Sequence, residues 1–465
     1  MPRTGEFINL NVQETVSADF LGVLDVTCLE RLRYLPGRRS VWKARCSGRA
    51  ILLKLYDPHP KQERDAVCEW HHATQIAELN IDLPAPLFFA RSADGVLAVA
   101  FDYIPDGQTL NQVFVGSAPQ ECGEVMKLLI ALHAKQHDAG MYQRDDHLGN
   151  YLWAEGKLWM LDAGTCEISN GALSDESRRN NMAMLAAGIP LSLRAEYDTA
   201  YSHFYDVKLE GLAGAVSSSI QTRQKNYSKK TRRACSEFEH EKNSGADWLA
   251  CRDVDAELKN KLLQNPDQFF GAGEDMIKNG RTCSVVDIEL NGKSYILKRY
   301  NQKSLAYRLL HMLTTPRVLS SWSSGHVLRL FGIPTPRPMV CLIYRTGPMF
   351  RKGYLLMEKI SGESPYWMDR EDVADPSKGI PTQFVSRLHE LDALKATHGD
   401  MKASNFILDD SGVLQLIDLD SMIFHRSNQS FEREKGKDLA RFMRNWEDTP
   451  ELIKLFCREL EVTFS

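Results

Sequence analysis

The sequence lacks the patterns that mark several common classes of protein. Its ten cysteines are scattered singly and form no CxxC pair, which argues against a zinc ribbon or a thioredoxin-type site. Isolated thiols in a chain of 465 residues are typical of a reducing compartment. No stretch approaches the ~20 consecutive apolar residues of a membrane-spanning helix, and the first residues contain no apolar signal-peptide core. We therefore expect a cytoplasmic protein, which can still lie against a membrane.

A large net charge of either sign is also missing. The formal net charge of −4 does not indicate a nucleic-acid partner. At ~100–200 residues per domain, the length predicts two or three domains. Locally, residues 221–233 contain six Lys and Arg and no acidic residue. This segment is either a solvated helical linker or a surface that meets anionic lipid or phosphorylated glycan.

The two halves of the chain show the same order of patterns. Each contains an apolar, strand-like run with a single lysine inside it, Lys54 in residues 50–56 and Lys298 in residues 294–300. Turn signals flank both runs. In each half a helix-patterned region follows, then a polar Asp/Asn cluster, and then an apolar run that ends in Asp. The repetition predicts two tandem domains of similar fold.

The polar cluster of the second half, HGDMKASNFI, has the spacing that phosphoryl transfer requires. Transfer from ATP needs a carboxylate near the acceptor hydroxyl, ligands for Mg²⁺ and cations on the phosphates. Asp400 stands five residues before Asn405, and Asp418 follows thirteen residues later at the end of an apolar run. Lys402, two residues beyond Asp400, is a candidate cation for the transferring phosphate.

The first half repeats this spacing with one substitution. Asp145 stands five residues before Asn150, and Asp162 follows twelve residues later. His147 occupies the position that Lys402 has in the second half. Because histidine is mostly neutral near pH 7 unless its pKa is raised, this half should neutralise charge less well.

The two lysines differ in the acids available to orient them. Glu69 stands fifteen residues after Lys54 on a helix-patterned segment and is a candidate partner for it. Residues 291–356 contain no Asp or Glu, so no such partner is expected for Lys298. Ten Lys and Arg lie from Lys298 to Lys352. They form either a field that attracts an anionic acceptor or a solvated face balanced by acids elsewhere.

Both polar clusters resemble the protein-kinase catalytic loop H-R-D-x-x-x-x-N, each followed by a counterpart of its D-F-G aspartate. The string HGDMKASNFI most resembles the bacterial lipopolysaccharide core kinases, which phosphorylate Kdo or heptose, and RYLPGRR at residues 33–39 resembles their heptose-kinase branch. Neither half contains a G-x-G-x-x-G loop. The resemblance implies an α+β fold of two tandem protein-kinase-like bilobal modules, each with a β-rich N-lobe and a helical C-lobe. The predicted divisions are a tail at 1–25, module 1 at 26–206, a basic helical linker at 207–262 and module 2 at 263–465.

The resemblance also implies the partners and the roles of the site residues. ATP and Mg²⁺ should bind between the lobes, and the acceptor should be the lipopolysaccharide core or its lipid-linked precursor, on an anionic inner-membrane surface. Two other functions stay open: a pseudokinase-type scaffold in envelope assembly, and a small-molecule phosphotransferase of the aminoglycoside or choline kinase type. The implied roles are catalysis (Asp400, Asp145, Lys402), phosphate binding (Lys298, Lys54, oriented in the first module by Glu69) and metal binding (Asn405, Asp418, Asn150, Asp162).

Overall fold

The chain consists of two structural units. A computed structural model describes residues 2–116, 119–204, 211–243, 245–271, 276–301, 315–346 and 349–460. Contacts divide the chain into Met1–Ile220 and Gln221–Ser465. Both units mix helices and strands, so the predicted α+β class is confirmed at that level. Among the described residues, no helix is long and apolar enough to cross a membrane. Lys303 and Arg308 of the predicted basic stretch lie outside the described residues.

The first unit contains a closed, six-stranded antiparallel barrel. Its strand order is β1-β2-β3-β4-β6-β5, and smaller sheets of order β10-β9-β7 and β11-β8 follow. The strands are β1 (Phe7–Thr15), β2 (Val23–Leu35), β3 (Arg39–Cys46), β4 (Arg49–Tyr56), β5 (Pro86–Ser92), β6 (Leu97–Asp102), β7 (Gln108–Thr109), β8 (Met141–Gln143), β9 (Tyr151–Ala154), β10 (Lys157–Met160) and β11 (Cys166–Ile168).

Alternation along β4 decides where Lys54 lies. Side chains of a strand alternate between its two faces. Ile51, Leu53 and Leu55 are fully buried in the barrel interior. Tyr56, on the other face, belongs to a separate core cluster that also contains Ala66 of the following helix. Lys54 shares that second face, so it points out of the barrel and toward the helix.

The predicted N-terminal tail differs from the structure. Residues Phe7–Thr15 form β1, which pairs with both β2 and β5 and thereby closes the barrel. Leu10 of this strand is fully buried. The physical reason is that closing the barrel leaves no unpaired sheet edge, a long-range effect with no local signal.

The helices of the first unit are α1 (Pro60–Glu78), α2 (Leu110–Gly116), α3 (Pro119–Asp138), α4 (Asp175–Ala186), α5 (Arg194–Phe204) and α6 (Leu212–Lys230), the last of which has residues in both units. Among them, α1 packs against the barrel strands β4, β5 and β6. Ala66, Trp70, Ala73 and Ile76 form the buried face of α1 at helical spacing. Glu69 lies among these apolar residues and is itself buried.

The second unit is built on a seven-stranded antiparallel sheet of order β12-β13-β17-β18-β16-β15-β14, with smaller sheets β19-β21-β22 and β20-β23. The strands are β12 (Phe238–Lys242), β13 (Ala246–Cys251), β14 (Met276–Asn279), β15 (Cys283–Leu290), β16 (Lys293–Tyr300), β17 (Pro338–Thr346), β18 (Met349–Glu358), β19 (Gly362–Glu363), β20 (Ala396–Thr397), β21 (Phe406–Asp409), β22 (Leu414–Leu416) and β23 (Ile423–Phe424). Its helices are α7 (Ala256–Gln264), α8 (Arg317–Leu330), α9 (Arg370–Ala374), α10 (Ile380–Ala393), α11 (Asn428–Met443) and α12 (Pro450–Glu459).

The predicted helical linker at 207–262 also differs from the structure in its second half. Strands β12 and β13 extend the large sheet, where β13 pairs with β17. Phe238 is buried against Trp322 of α8, with ring centroids 5.7 Å apart. These strands were missed because β12 is highly charged and its apolar contacts come from distant parts of the chain.

Candidate active site

Both units contain a loop with the same backbone geometry around the predicted Asp–Asn pair. In the second unit, the side-chain amide of Asn405 donates a hydrogen bond to the carbonyl of Asp400 at 2.7 Å. In the first unit, Asn150 donates to the carbonyl of Asp145, also at 2.7 Å. A short 3₁₀ turn precedes each asparagine. The five-residue spacing therefore corresponds to the same closed turn in both units.

The same asparagines connect to the strands that carry the predicted metal-binding aspartates. The amide of Ile417 donates to the carbonyl of Asn405 at 2.9 Å, next to Asp418. The amide of Leu161 donates to the carbonyl of Asn150 at 2.8 Å, next to Asp162. The structure thus brings together the Asn and the second Asp in each unit.

In the first unit, Lys54 contacts the predicted partner. Its ammonium lies 2.6 Å from Glu69 Oε1 and 3.8 Å from Asp162 Oδ1. Gly164 allows Glu69 to approach, since a Cβ added there would meet Glu69 Oε2 at 2.7 Å. Lys54 and Glu69 are both buried.

Arg39 is a site residue that was not singled out from the sequence. Its guanidinium lies 3.4 Å from Asp162 and 3.9 Å from Glu69. The available signal was the RYLPGRR string, whose last residue is Arg39 and whose turn joins β2 to β3. A second cation therefore stands where phosphate charge is expected in this unit.

Charge and burial oppose each other at these carboxylates. Burial raises the pKa of Glu69 above its usual value, and the charge of Lys54 only partly offsets this. Burial also acts to raise the pKa of Asp162, but the charges of Lys54 and Arg39 hold it well below its usual range. Asp162 is therefore ionised at neutral pH, as a metal ligand must be.

In the second unit, the expectation that Lys298 has no acidic partner is wrong. Its ammonium lies 2.6 Å from Asp418 Oδ1 and 2.8 Å from Asp420 Oδ2. Asp420 is buried and comes from the DLD string itself rather than from a helix. On helix α8, where a glutamate partner for the lysine would be sought, Ser321 is found instead, and its hydroxyl donates to Asp420 at 2.7 Å. The carboxylate that orients Lys298 is therefore that of Asp420, 122 residues further along the chain.

The electrostatics of this cluster favour the charged forms of Lys298 and Asp418. Burial acts to lower the pKa of Lys298, but the charges of Asp420 and Asp418 raise it above its usual value. Burial acts to raise the pKa of Asp418, and the charge and hydrogen bond of Lys298 lower it instead. Lys298 therefore stays a cation and Asp418 an anion at neutral pH.

The backbone around Asp418 and Asp400 is held in unusual conformations. Asp418 lies in the left-handed region, with φ 59° and ψ 56°, which aspartate tolerates better than most residues. Gly399 also has positive φ, and a Cβ there would meet the carbonyl oxygen of Ser421 at 2.6 Å. Its amide donates to the buried carboxylate of Asp438 at 2.9 Å. The glycine of the HGD string is therefore required sterically, and Asp438 anchors the loop.

A different network anchors the loop of the first unit. Asp146, directly after Asp145, is buried and accepts a hydrogen bond from Tyr151 at 2.9 Å. His133 Nε2 lies 3.2 Å from the same carboxylate, and Asn181 of α4 donates to it at 3.4 Å. This buried acid was not identified from the sequence because it stands next to the predicted catalytic one.

The residues two positions beyond the catalytic aspartates differ in charge. Lys402 lies 2.9 Å from Asp400 Oδ1 and is half exposed. Burial acts to raise the pKa of Asp400, and the hydrogen bond and charge of Lys402 lower it. His147 Nδ1 instead accepts a hydrogen bond from the amide of Gly149 at 3.1 Å. Its Nε2 lies 3.9 Å from Asp145 Oδ2, so an imidazole stands where the second unit has the ammonium of Lys402.

The donor sets fit a hard divalent cation that shares its coordination with phosphate. Each unit offers one ionised carboxylate and one amide oxygen, Asp418 with Asn405 and Asp162 with Asn150. The described residues contain no group of three or more His, Cys, Asp or Glu that could form an all-protein metal cage. Mg²⁺ is usually held by one or two carboxylates plus substrate phosphates and water.

Several described residues of the predicted basic field in the second unit pair with acids. Asp267 lies 3.2 Å from Arg299 and 2.5 Å from Lys352, and Asp253 lies 2.6 Å from Arg337. These acids lie outside residues 291–356, so the sequence window could not show them. The second interpretation, a face balanced by acids elsewhere, is the one that these pairs support.

Comparison with known proteins places one part of the chain in a family. Residues 271–458, less than half of the chain, match the model "Lipopolysaccharide kinase (Kdo/WaaP) family". No curated protein matches the chain. Solved structures similar to it include "ROP18 kinase domain in complex with AMP-PNP and sucrose", with 14% identity, a TM-score of 0.29, and coverage of 36% of this chain and 58% of that chain. The chain thus spans less than two thirds of that kinase domain.

The family match covers Lys298, Asp400, Asn405 and Asp418 but does not extend into the first unit. It confirms both the family resemblance drawn from HGDMKASNFI and the prediction of a kinase. Use of ATP with a divalent metal follows from that family. Residues 271–458 therefore match the lipopolysaccharide kinase (Kdo/WaaP) family, and this match supports a kinase.

Proposed function

We propose that the second unit transfers the γ-phosphate of ATP, with Mg²⁺, to a hydroxyl of a heptose or Kdo sugar in the lipopolysaccharide core. The observation that carries this proposal is the Lys298 cluster within the matched segment. Lys298 lies between Asp418 and Asp420. A lysine held by two carboxylates is preorganised for phosphate, so little reorganisation is needed during the reaction.

The remaining residues divide the work of positioning and charge neutralisation. Asp400, ionised and partly exposed, is suited to accept or orient the proton of the acceptor hydroxyl. Lys402 is suited to neutralise charge on the transferring phosphate. Asn405 and Asp418 would hold Mg²⁺, which supplies charge neutralisation between the phosphates when bound. The protein itself forms no covalent bond in this scheme.

We assign a sugar as the acceptor because of the family match, not because of the charge of the protein surface. The ion pairs of Asp267 and Asp253 weaken the argument that a positive face attracts an anionic acceptor, because they place acids among its basic residues. Lipopolysaccharide core, or its lipid-linked precursor, is what the family name supplies. Because ATP is the donor, we place the reaction on the cytoplasmic side of the inner membrane.

We propose that the first unit is a second kinase-like module. It either transfers phosphate more slowly than the second unit or mainly positions the substrate. The Lys54–Glu69 pair and the Asp145–Asn150 turn support the kinase-like reading. The geometry of His147 favours weak catalysis, since its ring accepts a hydrogen bond where the second unit has Lys402. A pseudokinase-type scaffold remains the second candidate for this unit alone.

A pair of single substitutions tests the proposal. Asp400→Asn should abolish phosphate incorporation into core oligosaccharide, whereas Asp145→Asn should retain most of it. The measurement is ³²P transfer from ATP to unphosphorylated core oligosaccharide, isolated from cells that lack the gene. If Asp145→Asn is the inactive variant and Asp400→Asn is active, the assignment of the two units is reversed. If wild-type protein transfers nothing to this acceptor, the sugar acceptor is wrong.

A further inference from the structure

An exposed aromatic pair lies beside the reaction loop of the second unit. Trp367 is 73% exposed, the largest value among the large hydrophobic side chains of the described residues. Tyr366 is 38% exposed, and the two rings meet edge to face with centroids 4.6 Å apart. By contrast, Trp322 and Trp446 of the same unit are fully buried. Since water around an indole is unfavourable, this exposure calls for an explanation.

Hydrogen bonds fix the pair in place. The amide of Trp367 donates to the carbonyl of Ser364 at 2.9 Å and closes a turn. The amide of Tyr366 donates to the Ser364 hydroxyl at 3.3 Å. That hydroxyl donates in turn to the carbonyl of Ala403 at 3.1 Å. A hydrogen-bonded turn therefore carries the two rings, which contact each other.

Ala403 ties this turn to the reacting groups. It lies between Lys402 and Asn405 and is the third residue after Asp400, at most about 11 Å of chain away. The turn follows directly on β19, which pairs with β21, the strand that begins after Asn405. The pair is thus attached to the segment that contains Asp400 and Lys402, the groups assigned to the acceptor and the transferring phosphate.

We propose that Trp367, supported by Tyr366, is a stacking platform for a sugar ring of the acceptor. The C–H face of a pyranose is apolar and matches the flat face of an indole, while its hydroxyls remain at the edge for the polar groups of the loop. A fixed aromatic ring costs little conformational entropy on binding. This inference rests on the proposed function, because it takes the acceptor to be a saccharide.

Two other occupants of the platform are distinguishable by experiment. An adenine ring would also stack on an indole, but then ATP binding would depend on Trp367. A lipid surface would also cover it, since tryptophan is common at membrane interfaces. The turn that carries Trp367 is bonded to the loop between Asp400 and Asn405. This position favours a sugar of the acceptor over adenine and over a lipid surface.

The test uses the full chain with three substitutions. Trp367→Ala should raise both KM and Kd for delipidated, unphosphorylated core oligosaccharide by about tenfold. Trp367→Phe should restore most of the affinity because it keeps a flat ring. Val413→Ala, which shortens another exposed apolar side chain of this unit, serves as the matched control and should behave as wild type. KM for ATP should be unchanged in all three.

Binding is measured separately from transfer, by isothermal titration of the oligosaccharide without ATP. Wild-type-like binding by Trp367→Ala overturns the inference. So does a rise in KM for ATP, or an effect seen only with lipid-bearing acceptor in vesicles. Failure of the proposed function gives a different result: wild-type protein that binds the oligosaccharide but transfers no phosphate refutes the kinase assignment, and the titration then still decides the role of Trp367. Wild-type protein that does not bind the oligosaccharide overturns both.

Discussion

Asp420 should be essential to the second unit, although no kinase loop motif contains it. Its Oδ1 accepts hydrogen bonds from Tyr300 at 2.6 Å and Ser321 at 2.7 Å. Its Oδ2 accepts from Lys298 at 2.8 Å and Arg317 at 3.2 Å. Asp420→Asn preserves the shape, but its amide group must face either the two cations or the two hydroxyls. In the first orientation donor meets donor, and in the second a neutral amide oxygen replaces the carboxylate, so the charge-assisted bonds to both cations are lost in either case.

The magnitude follows from those bonds. A hydrogen bond to a charged group contributes about 1.5–3 kcal/mol, and the Arg317 contact counts for less because its side chain is 43% exposed. We expect Asp420→Asn to lower the free energy of unfolding of the second unit by about 3 kcal/mol. Lys298 would then pair with Asp418 alone and compete with the metal. Loss of one preorganised group of this kind lowers kcat by about 10²–10³.

The assay combines urea unfolding with transfer kinetics at saturating ATP. Glu69→Gln is the matched control, since it removes the charge that orients Lys54 in the first unit. It should destabilise the protein to a similar extent but retain most transfer to core oligosaccharide. Tyr300→Phe, which keeps the Asp420 charge, should be active even if it is less stable. Wild-type kcat/KM in folded Asp420→Asn would refute the reasoning, because Asp418 alone would then suffice for Lys298.

Three further predictions concern the metal site, the basic segment and a buried glutamate. Asp418→Ala should abolish transfer by the second unit; it should lower the free energy of unfolding by about 1–2 kcal/mol for alanine in a left-handed conformation, plus a smaller part for the lost, partly exposed bond to Lys298. Wild-type transfer rates would disprove the metal assignment. If residues 223–233 contact anionic lipid, replacing Lys229, Lys230, Arg232 and Arg233 with glutamine should remove salt-sensitive vesicle binding, to which each contributes about 1 kcal/mol; equal wild-type binding to neutral and anionic vesicles would instead indicate a solvated helix. Burial raises the pKa of Glu390 to about 7 despite the charge of Arg387, so stability should fall as pH rises from about 4.5 through 7. In Glu390→Gln, the free energy of unfolding should lose about 3 kcal/mol of this change between pH 4.5 and 7. If the free energy of unfolding of wild type and variant changes equally with pH, the raised pKa of Glu390 is wrong.

Local patterns predicted the parts of the site that depend on short stretches of chain. The Asp–Asn spacing of five residues is a single closed turn, and a lysine inside an apolar strand must point to one face. The structure accordingly places Lys54 and Lys298 on β4 and β16, and Asn150 and Asn405 at the ends of matching turns. The kinase resemblance of the second unit rested on the same short strings and is confirmed by the family match.

Long-range pairing was not accessible to the same reasoning. The acid that orients Lys298 lies 122 residues away, and a search near the lysine, or on the following helix, could not find it. The partners of the basic stretch, such as Asp267, also lie outside the window in which it was read. The barrel is closed because β1 pairs with β5, a strand far along the chain, and this pairing leaves no free sheet edge.

The sequence by itself determined which residue types could perform phosphoryl transfer and in what order they occur along each half. The tertiary structure decided which of them meet. In the second unit Asp420, rather than a helix glutamate, pairs with Lys298. In the first unit Arg39 pairs with Asp162. The turn that carries Trp367 is bonded to the reaction loop through Ser364 and Ala403. The physical reason is that charge pairing and burial act through space, whereas spacing along the chain constrains only neighbours within a turn or a strand.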